Sequence, residues 1–285
     1  MTNLTYAIIQ DIRSISLLVT EIETSPNAYK IDLRAVSKSM YSEAFGRYDP
    51  KIFQRLFLTL LDTLTFIEIP ELQTLGRFIL VDGSIFPAFC TMDWANYKSD
   101  SQALKMHLAF ELNRMIPVQF ISSDANSSEK KMLLEFLEKG VTYIADRGYI
   151  SFKLFKQITD KQAFFIIRLK SVIKVSVTQQ LEVVIPDDWQ GYFSDISDAM
   201  IYLTNDKEKT GYRLVKFMFE NESYSIISNR TDLTTGEIIM LYAYRWQIEL
   251  FFRSIKRTFN ALHLWSHSER GIAIQFYIYL IVIRK

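Results

Sequence analysis

"RFILVDGSIFPA", residues 77–88, is where the chain changes character. Phe78 to Val81 form a short apolar run that closes on Asp82-Gly83, which reads as a buried strand rather than as a turn of helix. Before it, residues 1–75 read as helical. "DPKIFQRLFLTLLDTLTFIE" (49–68) repeats apolar residues at helical spacing, and Asp49-Pro50 is a helix start. After it come strands at 103–111 and 115–122, a helix over 127–140 closed by Gly140, a strand in "VTYIADRGYI" (141–150) and a helix over 151–160. Strands and helices alternating in this way imply a mixed α/β core.

From 161 to 230 the pattern turns to strands, with "AFFIIRLK" (163–170), "IKVSVTQQLEVVI" (173–185), "YRLVKFMF" (212–219) and "YSIISNR" (224–230) the clearest. Helices close the chain at 235–259 and 268–283, the first opened by the capping box Thr234-x-x-Glu237. The expected organisation is an N-terminal helical region (1–75), a first part of the core (76–160), a β-rich insertion (161–230) and the core's C-terminal helices (231–285).

Composition narrows the chemistry. The 285 residues suffice for one large or two small domains, and 49% hydrophobic with 23% charged residues is ordinary for a globular chain. A net charge of +1 gives nucleic-acid binding no overall support. The one cysteine, Cys90, excludes a disulfide framework, and His107, His263 and His267 are too scattered for a histidine metal centre. A bound metal must therefore take carboxylate oxygens, which suits a hard ion such as Mg²⁺ or Mn²⁺. "MTNLTYAIIQDIRSISLLV" is broken as a secretory signal by Asp11 and Arg13, and "FYIYLIVI" (276–283) is too short to span a bilayer, so no membrane is expected as a partner.

The late stretch "LYAYRWQIELFFRSIKRTF" (241–259) sets one carboxylate, Glu249, among four cations. On a continuous helix Tyr244, Ile248, Phe251, Ile255 and Phe259 make an apolar stripe, while Tyr242, Arg245, Glu249 and Lys256 share about 60° of the opposite face. Taken alone, that face is a solvated surface with an Arg245–Glu249 pair. Asp82 and Asp146 change its meaning: each directly follows a buried apolar run, a place from which a carboxylate enters a cleft. With Glu249 they make a three-carboxylate set of the kind a pair of hard divalent ions needs for phosphodiester chemistry. Arg245, Lys256 and Tyr242 can hold phosphate oxygens beside it. Arg147 begins a locally basic segment, 147–170, with Lys153, Lys156, Lys161, Arg168 and Lys170 against the single Asp160.

The residues then resemble a family. Tyr242-x2-Arg245-x3-Glu249-x6-Lys256 matches the Y-R-E-K spacing of bacterial insertion-sequence transposases of the DDE type. "VDGS" (81–84) and "ADRGY" (145–149) resemble that family's two aspartate motifs, and "SNRTDLTTGEIIMLYAYRWQIELFFRSIKR" (228–257) resembles its third block. The resemblance covers roughly 77–260. It implies a ribonuclease-H-like catalytic core with a β-strand insertion. It implies Asp82, Asp146 and Glu249 as catalytic ligands of Mg²⁺ or Mn²⁺, and Tyr242, Arg245 and Lys256, with Arg147 beside them, as DNA contacts. The partners it implies are double-stranded DNA, as transposon ends and as target, and a second copy of the chain in a synaptic homodimer, in the bacterial cytoplasm. Family members usually continue past the last helix, whereas this sequence stops at Arg284-Lys285. The alternative reading is therefore a truncated DNA-binding remnant, or a nuclease of the same fold, that performs no strand transfer. Among single residues, His107 reads as a core histidine, Trp189 as surface packing rather than a stacking platform for an extruded base, and Trp246 as helix packing.

Overall fold

A computed structural model of the chain describes residues 1–63, 69–88, 91–98, 101–189, 191–261 and 264–282. Cys90, His263 and the side chain of Phe259 lie outside the described residues. The N-terminal region is helical: α1 (Thr2–Ile9), α2 (Ile15–Thr24), α3 (Pro26–Lys30), α4 (Lys38–Arg47) and α5 (Pro50–Asp62). Asp49 caps α5 as expected, accepting from Lys51 N–H at 2.9 Å with Pro50 in the first turn.

The first strands are β1 (Arg77–Pro87), β2 (Asn96–Lys98), β3 (Ser101–Glu111) and β4 (Ile116–Asp124). They are followed by α6 (Glu129–Glu135), β5 (Val141–Ala145), α7 (Phe152–Asp160) and β6 (Phe164–Arg168). A meander of β7 (Val175–Gln180), β8 (Ser194–Leu203), β9 (Gly211–Phe219) and β10 (Glu222–Ser228) comes next. The chain closes on α8 (Thr235–Ala243), α9 (Trp246–Ala261) and α10 (Glu269–Val282).

All ten described strands join one sheet, in the order β2-β3-β1-β5-β6-β10-β9-β8-β7, with β4 on the free edge of β3. Strand β1 runs antiparallel to β3 and β3 to β4, whereas β1, β5 and β6 are parallel. The parallel strands are apolar on both faces because both faces are covered. Phe78, Leu80, Ile144 and Ile166 point towards the N-terminal helices and α8 to α10, and Ile79, Val81, Tyr143, Phe165 and Ile167 point towards α6 and α7. The late strands do not form a separate block: β10 pairs with β6, so the meander continues the core sheet outward.

Four sequence expectations need correction. Strand β8 was not anticipated, although "ISDAMIYL" (196–203) alternates as a half-buried strand should; its aspartates hid the pattern. Helix α6 is shorter than 127–140, because the buried Tyr143 hydroxyl donates to Phe136 C=O at 2.5 Å and accepts from Glu138 N–H at 2.8 Å, which ends the helix early. Asp82 does not close β1 at an Asp-Gly turn: the strand runs on to Pro87, paired with β3. The helix expected over 235–259 breaks at Tyr244-Arg245. Bonds of the i to i−3 kind, such as Arg245 N–H to Tyr242 C=O at 3.0 Å, tighten the junction and shift its phase.

One buried polar network ties the meander to α8. Arg213 on β9 donates to Asp198 on β8 at 2.9 and 2.6 Å, and both residues are at most 4% exposed. Thr235 Oγ1, at the start of α8, donates to the same carboxylate at 2.8 Å and accepts from Val184 N–H at 3.1 Å. The capping box is present, with Thr234 N–H donating to Glu237 at 2.6 Å and Glu237 N–H to Thr234 at 3.2 Å. Among the described residues no helix is long and apolar enough to cross a membrane.

Asp198→Ala leaves the Arg213 guanidinium buried without its counter-ion. The expected loss is about 3–5 kcal/mol, read as a lowered urea midpoint by circular dichroism. A loss below about 1 kcal/mol, the level of an exposed pair, would show that water reaches this network.

Candidate active site

The register brings the two aspartates to the same end of the sheet. Strands β1 and β5 pair in parallel up to Leu80–Ile144, and there the ladder ends. Asp82 and Asp146 each lie two residues beyond that last pair, so they share its parity and face the side where α8 and α9 pack. Asp146 stays extended, with φ −86° and ψ 175°, before a single 3₁₀ turn over Arg147–Tyr149. Asp82 accepts from Gly83 N–H at 2.8 Å.

Helices α8 and α9 complete the arrangement. Tyr242, expected on the polar face, is 4% exposed, because the broken junction turns it inward; its hydroxyl donates to Asp146 at 3.2 Å. Burial raises the Tyr242 phenol well above its ordinary range, with Arg245 opposing and Asp146 reinforcing, so it stays a neutral donor. Arg245 is paired with Glu249 one turn on. Burial works against its charge, but Tyr242, Glu249 and Asp146 more than offset this, and its pKa lies above the usual value. Burial also pushes the Asp82 carboxyl up, to about 6; the Gly83 N–H and Arg245 oppose the shift, while the charges of Glu129 and Glu249 add to it.

Asp82, Asp146 and Glu249 thus lie around Arg245 at one end of the sheet. Their oxygens are the donor set a hard divalent ion takes, and the negative field on half-buried Asp82 is one a cation would relieve. Among the described residues, no three Asp, Glu, His or Cys side chains are grouped closely enough to hold an ion. The donor chemistry fits Mg²⁺ or Mn²⁺, and the spacing is that of carboxylates held by their own arginine.

The remaining candidates divide. Lys256 lies on α9 with its ammonium 5.6 Å from the Phe86 ring centroid, and Arg147 is exposed beside Asp146. The basic surplus of 147–170 is smaller than its sequence suggests: Glu208, in the turn between β8 and β9, pairs with Lys156 at 2.6 Å, and Glu222, at the start of β10, pairs with Arg168 at 3.5 Å. His107 is a core residue, 1% exposed, within 3.0 Å of Ser123 Oγ; burial and Lys105 lower its pKa to about 4, so it is neutral. Trp189 packs on Phe193, and Trp246 is half-exposed beneath Arg253 rather than buried in helix packing. Sequence reasoning passed over Glu129 and Tyr149. Both lie close enough to Asp82 for their charges to interact, and no spacing rule links "SEKK" (128–131) to Asp82.

A family model described as "Transposase DDE domain" matches residues 73–284. A Sinorhizobium fredii protein described as a transposase, y4zB, is 25% identical over 207 residues, covering 71% of this chain and 58% of its own length. A Geobacillus stearothermophilus protein described as a transposase for insertion sequence element IS5377 is 19% identical, over 65% of this chain and 49% of its own. A Synechocystis protein described as a transposase for element IS4SA is 22% identical, over 94% of this chain and 77% of its own. The chain thus spans 58% and 49% of the length of the first two of these relatives. A solved endonuclease V from Bacillus subtilis overlays 84% of the chain at 10% identity with a TM-score of 0.27, too low to identify the fold.

The raised Asp82 pKa has a stability consequence. Its folded value of about 6 exceeds the ordinary 3.8, so its contribution is fully present below pH 3.8 and is lost as pH rises through 6. Asp82→Asn, neutral throughout, should therefore melt higher than the parent chain at pH 8 in chelator, by roughly 1–3 kcal/mol. The gain should shrink towards zero at pH 4. A gain that does not change with pH would mean that Asp82 ionises as it does in water.

Proposed function

This chain belongs to the transposase DDE domain family, and from that premise we propose that it cuts DNA at the ends of an insertion sequence and joins the freed ends to target DNA. The observation that carries the proposal is the position of Asp82 and Asp146, each two residues past the last β1–β5 pair and on the face where α9 brings Glu249 near enough for its charge to act on Asp82. The antiparallel β4-β3-β1 unit beside the parallel β1-β5-β6 unit supports a ribonuclease-H-like core, with the meander from β7 to β10 as its insertion.

In this reading Asp82, Asp146 and Glu249 would hold Mg²⁺ or Mn²⁺, which would supply nucleophile activation and charge stabilisation at the leaving oxygen. The chain's own residues do the rest. Tyr242 fixes one Asp146 oxygen through its hydroxyl and leaves the other for the site. Arg245 keeps Glu249 and the aspartates from repelling one another before a substrate arrives, and can then turn to a phosphate oxygen. Lys256 and Arg147 flank the site as point charges for the DNA backbone. Target joining places two DNA ends together, for which a homodimer is the simplest assembly.

The test uses a plasmid carrying the gene with its flanking DNA, assayed for nicking and for strand joining in Mn²⁺, with gel shifts at several salt concentrations. Glu249→Ala should abolish cleavage and keep or slightly raise DNA affinity, since it deletes a negative charge. Lys256→Ala should weaken binding and lower its salt slope by about one counterion. Normal cleavage by Glu249→Ala would reduce Glu249 to an ion-pair partner of Arg245. Nicking without joining would mark the chain as a nuclease rather than a transposase.

A further inference from the structure

We propose that Glu129 is a positioning residue of this site, a fourth carboxylate that reaches Asp82 and Asp146 from the opposite face of the sheet. The inference rests on reading those aspartates as the catalytic pair. Glu249 comes from α9 on one face, whereas Glu129 opens α6, which packs with α7 on the other. Its carboxylate is held by Lys105 of β3, with Nζ to Oε1 at 2.6 Å and side chains only 12% and 25% exposed.

Two missing side chains give Glu129 its passage. A Cβ on Gly83, the residue after Asp82, would stand 2.7 Å from Lys105 Cε and 3.2 Å from Glu129 Oε1. A Cβ on Gly148, two residues after Asp146, would stand 2.7 Å from Glu129 Oε2. One oxygen therefore lies against the backbone that follows each aspartate. Any larger residue at either glycine would push the carboxylate away, because it is the far end of a flexible side chain. A carboxylate so placed holds the β1 backbone after Asp82 and the 3₁₀ turn after Asp146 at a fixed separation, and the charge of Glu129 adds to the negative field at Asp82. An ion-pair partner for Lys105 alone has no need of both glycines.

This predicts how tightly the site takes a divalent cation. Glu129→Gln keeps the volume and an oxygen for Lys105 but removes the charge. The full chain is titrated with Mn²⁺ and followed by electron paramagnetic resonance without DNA, and the Mn²⁺ dependence of plasmid nicking is measured in parallel. Both the dissociation constant and the half-saturating Mn²⁺ should rise about tenfold, the usual effect of removing a group that supports metal ligands, while the variant still melts as a folded chain in chelator. Gly148→Ala, which displaces Glu129 without altering any charge, should shift both in the same direction. Wild-type Mn²⁺ binding in both variants overturns the inference, as does a change confined to melting temperature. Asp82→Asn, run alongside, separates the two readings. If it nicks normally, the site itself is misassigned; if it is inactive while Glu129→Gln and Gly148→Ala behave as wild type, only the role of Glu129 falls.

Discussion

The candidate site depends on where one ladder ends. Parallel strands β1 and β5 hold each other up to Leu80–Ile144, and β5 then leaves the sheet while β1 continues against β3. Asp82 and Asp146 each follow that last pair by two residues, and neither is buried in the sheet's interior. Had β5 continued alongside β1, Asp82 and Asp146 would have become neighbouring buried charges, an arrangement that costs several kcal/mol per ion. The end of the ladder lets the chain keep an apolar sheet below and a polar opening above.

Like charges brought together need a counter-ion, and the chain supplies it from within. Arg245 pairs with Glu249 and acts on both aspartates, and Lys105 neutralises Glu129 from the other face. These cations offset part of the repulsion among the carboxylates. They reach the candidate site from two faces of the sheet, Arg245 from the α8–α9 side and Lys105 with Glu129 from the α6 side.

The extension of the sheet has a mechanical role. Asp198 and Arg213 are buried in β8 and β9, and their network grips Thr235 at the start of α8. Helix α8 in turn sets Tyr242 against Asp146, and the tight junction after it aims Arg245 and Glu249. A displacement of the meander would thus be felt at the site through one helix. Arg230 adds a second tie, donating to Thr142 on β5 at 2.7 Å and to Leu75 C=O at 2.9 Å.

Much of this was legible in the residues themselves. Apolar runs marked β1 and β5 as buried strands and "AFFIIRLK" as a strand, Asp49-Pro50 and Thr234-x-x-Glu237 marked helix starts, and the family resemblance singled out Asp82, Asp146 and Glu249 as candidates, because these signals are local or spaced along one element. The sequence could not show that Asp82 lies within a strand rather than at a turn, since that depends on β3 supplying a partner for Gly83 and the residues after it. Nor could it show that Tyr242 is buried, because the phase of α8 relative to α9 is set by a junction no periodicity reveals. The charge balance of 147–170 was settled by Glu208 and Glu222, and the approach of Glu129 by Gly83 and Gly148, contacts between residues far apart in the chain. Local propensity and spacing determine which elements form and which side chains can do chemistry. Which of those side chains meet is decided by register and packing, because a charge acts across whatever distance the folded chain leaves, whatever the separation in sequence.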